Sequence, residues 1–203
     1  MKIICVGRNY VKHIKELNNE FPKQPIIFTK PDTSILLNNK DFYFPDFSSN
    51  VQFEVELLIK ISKEGKKIPV RFANRYYNKV GIGIDFTARD IQTNAKNKGL
   101  PWTLSKGFNH SAPISEFLSI EKFKDIQNIN FSLKKNNKVI QKSNSSKMIY
   151  KVDFLINYIS NFIHLKTGDI IFTGTPEGVG EIKKGDNLKA YIEDEKLLDF
   201  NIK

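Results

Sequence analysis

The chain is poor in cysteine, in arginine and in unbroken apolar sequence, and each shortage removes a class of function. Cys5 is the only cysteine among 203 residues, so no internal disulfide can form. No cysteine–histidine set has the spacing of a zinc site either. The opening Met-Lys-Ile-Ile-Cys-Val-Gly holds too short an apolar run for a signal peptide. The longest apolar helical pattern, from Val152 to Leu165, is broken by Asp153, Asn157 and Asn161, which suits a protein core and not a bilayer. The expectation is a cytoplasmic chain with no membrane contact. Arginine is scarce in spite of a formal net charge of +10: Arg8, Arg71, Arg75 and Arg89 are the only ones. Bidentate phosphate and base contacts favour arginine, and the lysines here are scattered among Asn and Ile. That distribution reads as compositional drift and predicts no nucleic-acid partner. The glycine-rich segment Gly174–Gly180 lacks the Gly-Lys-Ser/Thr ending of a phosphate loop, and its Pro176 argues against a dinucleotide fingerprint.

At 203 residues and 40% hydrophobic content the chain suits one sizeable core, so residues 1–203 read as a single domain. Strand patterns occur at Lys2–Val6, at Ile26–Phe28, from Asn50 to Ile59, at Val80–Phe86, at Ile129–Leu133 and Lys138–Gln141 around an Asn136-Asn137 turn, at Asp169–Thr173, and twice near the C-terminus. Helical spacing appears at Val11, Ile14 and Leu17, after Thr87, and most clearly at Val152, Leu155, Ile156, Ile159, Phe162 and Ile163. Thr87-x-x-Asp90 has the pattern of a helix start capped by the Thr87 hydroxyl. Strands outnumber helices without a regular βαβ alternation, so the expected class is a strand-rich α+β fold.

Acidic residues carry the chemistry. In Asn50–Ile59 the side chains of Glu54 and Glu56 share one strand face, opposite Val51, Phe53, Val55, Leu57 and Ile59. Such a pair reads either as a solvated acidic face or as half of a site for a hard divalent cation. Asp85 ends a glycine-thinned strand, Val80–Phe86, and either serves that site or caps the helix that follows. If the three converge, each pair at about 5 Å repels by roughly 3 kcal/mol at an effective dielectric of about 20. A divalent ion removes most of that cost, and oxygen-only ligands favour Mg²⁺ or Mn²⁺ over zinc. His13 and Glu16 are helix neighbours. On spacing alone His13 reads as a surface histidine and Lys106 as one solvated lysine among many. Arg8 and Arg89 read equally as partners of nearby acids.

Taken in order, Gly7-Arg8-Asn9-Tyr10 with His13 and Glu16, Glu54-Val55-Glu56-Leu57, Asp85-Phe86-Thr87-Ala88-Arg89-Asp90-Ile91-Gln92, Gly99-Leu100-Pro101-Trp102-Thr103-Leu104-Ser105-Lys106-Gly107-Phe108 and Thr173–Gly180 resemble the fumarylacetoacetate hydrolase family. The similarity is to its short branch of acylpyruvases and oxaloacetate decarboxylases. The resemblance implies a mixed β-sandwich roll, a homodimer, and a small 2-oxo acid as substrate. It places Glu54, Glu56 and Asp85 as the Mg²⁺ ligands, with Mn²⁺ as the other candidate, and His13 and Glu16 as a water-activating dyad. Lys106 matches the lysine beside the metal, while Arg8, Gln92 and Thr175 fall at substrate-facing positions. The implied reaction cleaves a C–C bond, by acylpyruvate hydrolysis or oxaloacetate decarboxylation through a pyruvate enolate at the metal. Tautomerisation or isomerisation at the same site is the alternative. Gln52 departs from the pattern, since many relatives carry His there.

Overall fold

A computed structural model describes residues 1–203 as a strand-rich α+β fold. Its largest sheet has six strands in the order Ile26–Lys30 (β2), Ile3–Gly7 (β1), Ile170–Phe172 (β12), Val55–Ile61 (β5), Tyr77–Ile84 (β6) and Leu118–Ser119 (β9). A four-stranded antiparallel sheet runs Lys138–Asn144 (β11), Asn130–Lys135 (β10), Asn187–Ile192 (β14), Glu195–Asn201 (β15). Gly180–Glu181 (β13), Val51–Phe53 (β4) and Thr87–Ala88 (β7) form a third sheet, and Ile35–Leu36 (β3) pairs with Ala112–Pro113 (β8). β1 and β12 are parallel while both neighbours of β5 are antiparallel to it, so the large sheet is mixed.

Alternation of apolar residues builds the core. Phe131 and Leu133 of β10, Leu188, Ala190 and Ile192 of β14, and Leu198 and Phe200 of β15 all turn inward, meeting Val55, Leu57, Ile59, Val80, Ile82 and Ile84 of the large sheet in one buried cluster. The helix Val152–Phe162 (α4) adds Val152, Leu155, Ile156 and Ile159 to it. No helix is long and apolar enough to cross a membrane. The β10–β11 hairpin turns on Asn136 and Asn137, whose φ values of 51° and 66° are those of a tight primed turn.

Two local expectations are corrected. The pattern from Asn50 to Ile59 is not one strand: it breaks at Glu54, where the chain leaves the small sheet and enters the centre of the large one. Both faces of β5 are therefore buried, and no solvated acidic face exists. Thr87 does not cap a helix. It pairs with Gln52 in β7, and the helix Arg89–Asn97 (α2) starts two residues later without a side-chain cap. Gly83, one of the glycines that thin β6, lies under backbone and core, not under a ligand. A Cβ there would come within 3.0 Å of the Pro113 carbonyl oxygen and the Phe172 ring.

Candidate active site

Strand ends from two sheets meet at the break in the Val51–Ile61 segment, and this junction brings the carboxylates together. Asp85, directly after β6, donates its N–H to the Glu54 carbonyl oxygen at 2.8 Å, which pins the two segments side by side. One carboxylate oxygen from each of Glu54, Glu56 and Asp85 lies within 4.8 Å of the others. The three residues are 5, 2 and 1% exposed. They form the floor of a narrow cavity lined also by Arg8, His13, Arg89, Gln92, Lys96, Trp102, Lys106 and Thr175. Every residue marked out in the sequence lines this one space, except Glu16, which stands behind His13.

Buried cations hold the acids in place. Lys106 closes the four-residue helix Thr103–Lys106 (α3) and is itself buried. Its Nζ donates to Asp85 Oδ2 and Thr87 Oγ1 at 2.6 Å and to Glu54 Oε2 at 2.9 Å. Burial opposes its charge, but Asp85 and Glu54 outweigh that and raise its pKa above the ordinary lysine value. Lys30 is buried beneath the floor. It donates to the carbonyl oxygens of Phe86, Lys106 and Ser111 and to Ser111 Oγ, and it sits 2.8 Å from Asp85 Oδ1. That last approach is an ion pair by distance without an aligned hydrogen bond, so Asp85 Oδ1 accepts none. Nothing in the sequence marks Lys30; a lysine before proline in a lysine-rich chain reads as loop surface. Arg89, first residue of α2, donates to Glu54 Oε1, to Gln92 Oε1 and to Gln52 Oε1. Burial pushes the Glu54 carboxyl up, but Lys106 and Arg89 outweigh it and hold the group far below the usual carboxylate range. Glu56 has only the Gly174 N–H, at 2.7 Å. Burial and then the charges of Asp85 and Glu54 drive its pKa well above the carboxylate range.

The opposite wall comes from the helix Val11–Glu16 (α1) and the loop after β12. His13 Nδ1 is 3.4 Å from Glu16 Oε2, and Glu16 Oε1 accepts from the Gly178 N–H at 2.9 Å. Burial lowers the His13 pKa below the ordinary imidazole value, in spite of nearby Glu54 and Glu16. The loop is set by Gln141, a buried residue of β11 that the sequence offered no reason to single out. Its Oε1 accepts from the Val55 N–H, between Glu54 and Glu56, while its Nε2 donates to Thr175 Oγ1 and to the Pro176 carbonyl oxygen. One amide thus ties the carboxylate strand to the loop and leaves the Thr175 hydroxyl proton free to donate. Gly174, at φ 102°, is required there because a Cβ would meet the Asn9 side chain at 2.7 Å.

The fumarylacetoacetate hydrolase C-terminal family profile matches residues 2–200. The chain belongs to that family. It is 44% identical over 192 residues to the mitochondrial oxaloacetate decarboxylase of Dictyostelium discoideum, covering 94% of this chain and 88% of the relative. Identity to the mitochondrial oxaloacetate tautomerase of Mus musculus is 39% over 201 residues, covering 99% and 91%. The crystal structure of fumarylpyruvate hydrolase from Pseudomonas aeruginosa in complex with Mn²⁺ and pyruvate superposes with a TM-score of 0.94 at 30% identity, covering 100% of this chain and 89% of that one. As a fumarylacetoacetate hydrolase family member, the chain has the expected fold, and its Glu–Glu–Asp cluster fits a divalent ion on its own geometry. The donors are all oxygen, and Glu56 lacks a cationic partner of its own, holding only the Gly174 N–H. Gln52 braces Arg89 through its amide oxygen, which accepts from Nε at 2.8 Å.

Proposed function

We propose that this chain is a divalent-metal-dependent enzyme that cleaves a C–C bond of a small 2-oxo acid, with oxaloacetate decarboxylation or acylpyruvate hydrolysis as the reaction. The observation that carries this reading is the convergence of Glu54, Glu56 and Asp85 on one buried point, walled by Lys106, Gln92, Thr175 and His13. Glu54, Glu56 and Asp85 would hold Mg²⁺ or Mn²⁺, which supplies Lewis-acid polarisation of a 2-keto carbonyl and stabilises negative charge developing on it.

The chain's own groups do the rest. Lys106 offsets the net negative charge of three carboxylates and keeps Glu54 and Asp85 oriented. The Gln92 amide, fixed through its oxygen by Arg89, presents its NH₂ to substrate, and the Thr175 hydroxyl donates toward the substrate carboxylate. His13, kept neutral by burial, has Nδ1 turned to Glu16 and Nε2 available to take a proton. In hydrolysis that proton comes from a water whose oxygen attacks the distal carbonyl carbon; the C–C bonding pair passes to the pyruvate fragment as its enolate, which is then protonated. Oxaloacetate needs no water: the bond to the departing CO₂ gives its electron pair to the same enolate. Likeness to the mouse oxaloacetate tautomerase favours a second reading, keto–enol exchange of oxaloacetate, in which one proton moves between carbon and oxygen.

Assays of oxaloacetate, acylpyruvates and muconate-type dienoates, with Mg²⁺ and with EDTA, test the proposal. Turnover of at least one 2-oxo acid, abolished by EDTA and restored by Mg²⁺, is expected; turnover insensitive to the chelator would refute it. His13→Ala is expected to lower acylpyruvate hydrolysis by about 10²–10⁴-fold, the range of a general base, and oxaloacetate decarboxylation by much less. Equal losses in both reactions would rule out water activation by His13.

A further inference from the structure

The wall that carries His13 and Glu16 is fastened at both ends by one residue that belongs to none of the sequence motifs, Tyr150. Its backbone grips Asn9, just before α1: Asn9 Nδ2 donates to the Tyr150 carbonyl oxygen at 3.1 Å, and the Tyr150 N–H donates to Asn9 Oδ1 at 2.7 Å. The Ile149 N–H donates to the Asn9 carbonyl oxygen at 2.9 Å, and Tyr10 and Met148 form an antiparallel bridge beside it. The Tyr150 side chain reaches the other end. Its hydroxyl donates to the Pro22 carbonyl oxygen at 2.9 Å, beyond the Leu17 that ends the helix.

Little else holds that far end. From Glu20 to Pro25 the chain makes no backbone–backbone hydrogen bond. Its other outside ties are a 3.4 Å contact from Arg8 to the Glu20 carbonyl oxygen and a hydrogen bond from the exposed Lys96 to Asn19 Oδ1. Phe21, the large apolar side chain of this stretch, is 55% exposed, so its burial contributes little. Tyr150 stands on firmer ground. Its ring stacks on Phe154 at 5.5 Å and 16°, and Phe154 stacks on Tyr158 at 6.3 Å and 20°, a ladder at four-residue spacing that continues along α4. That helix is packed into the core by Val152, Leu155, Ile156 and Ile159, so the hydroxyl is presented from a fixed base.

We infer that Tyr150 is a positioning residue: its hydroxyl, through the Pro22 carbonyl oxygen, holds the α1 segment so that His13 and Glu16 stand over the carboxylate floor. This rests on the assignment of His13 to water activation in the proposed hydrolysis. Without the hydroxyl, α1 stays clamped at Asn9 and its far end is free to shift. A displacement of about 1 Å at a reacting group can cost up to about 10²-fold in rate. Decarboxylation, which needs no water and no base, is spared, and so is substrate binding, because the carboxylates and Thr175 lie on other elements.

Tyr150→Phe tests this, since it deletes the hydroxyl and keeps the ring and the backbone bonds to Asn9. Limited trypsin cleavage after Lys23, an exposed lysine next to Pro22, reports on the segment directly when read by mass spectrometry, because cleavage follows the population of opened chain. Cleavage is expected to rise about 3- to 10-fold, the range of one neutral hydrogen bond, with an unchanged melting curve. In the same variant kcat for acylpyruvate hydrolysis should fall about 10-fold with KM within about 3-fold, while kcat for oxaloacetate decarboxylation changes less than about 3-fold. Tyr158→Phe, on the same aromatic stack, should match wild type in both measurements. Unchanged cleavage at Lys23, unchanged hydrolysis, or equal losses in both reactions would overturn the assignment. Raised cleavage in a protein whose wild type turns over no 2-oxo acid would sink the proposed reaction and leave the anchor standing.

Discussion

Glu56→Gln is expected to lose at least 100-fold in Mg²⁺ affinity and about 10³-fold in turnover, while the metal-free variant folds at least as stably as wild type. The two halves of this result have one cause. Glu56 lies against Glu54 and Asp85 without a cation of its own, so its ionised form is disfavoured in the folded protein. An amide of the same shape still accepts from the Gly174 N–H, removes the repulsion and removes a metal ligand. The pH dependence follows in sign. A carboxyl whose pKa is raised on folding binds protons more tightly in the native state, so its contribution to stability is present below the unfolded value of about 4.3 and is lost as pH rises through the folded value. Metal-free wild type should therefore lose stability relative to Glu56→Gln as pH climbs above about 4.3, and saturating Mg²⁺ should reverse the order at neutral pH. Urea titrations across pH, with and without Mg²⁺, measure this. Wild-type turnover and Mg²⁺ affinity in the variant would remove Glu56 from the ligand set.

Lys106→Met should behave in the opposite way, losing stability first and regaining it with metal. The ammonium it deletes is shared by Glu54 and Asp85, all three side chains being buried, and a buried pair broken from one side costs about 3–5 kcal/mol. For a chain of this size that is a fall in Tm of roughly 6–20 °C without metal. Mg²⁺ replaces part of the missing charge, and at 100 times its Kd contributes about 2.7 kcal/mol. The variant should remain folded at 25 °C in saturating Mg²⁺, with turnover still reduced by about 10²–10³-fold, the usual loss for one electrostatic donor at a reacting centre. A melting curve unchanged from wild type would show that Lys106 does not neutralise the acids. A chain that stays unfolded at saturating Mg²⁺ would make its role structural.

Legibility differed from residue to residue. Glu54 and Glu56 were visible as a pair because strand periodicity puts alternate residues on one face, and Asp85 because a carboxylate closing a glycine-thinned strand is unusual. The Thr-x-x-Asp capping pattern pointed the wrong way at Thr87, because the segment pairs with Gln52 as a strand. The break at Glu54 left no mark in the sequence, since apolar residues continue on both sides of it; it arises because the segment changes sheets there. Arg89, Gln92 and Lys96 had helical spacing on the page, but spacing does not say which face looks into a cavity. Lys30 and Gln141 carried no signal at all, because one side chain is marked as structural only by the backbone atoms folded around it.

By itself, then, the sequence determined the strand-rich α+β class, the ordered family motifs and the identity of the acids, because periodicity and motif order are local properties of the chain. Tertiary structure alone decided that these acids are buried within 4.8 Å of one another, that Lys30 lies beneath them, that Gln141 ties their strand to the Thr175 loop, and that Tyr150 fastens Asn9 and Pro22 on either side of α1. The reason is physical: desolvation and charge pairing depend on distances between residues as far apart in sequence as Lys30 and Ser111, and only the packed core sets those distances.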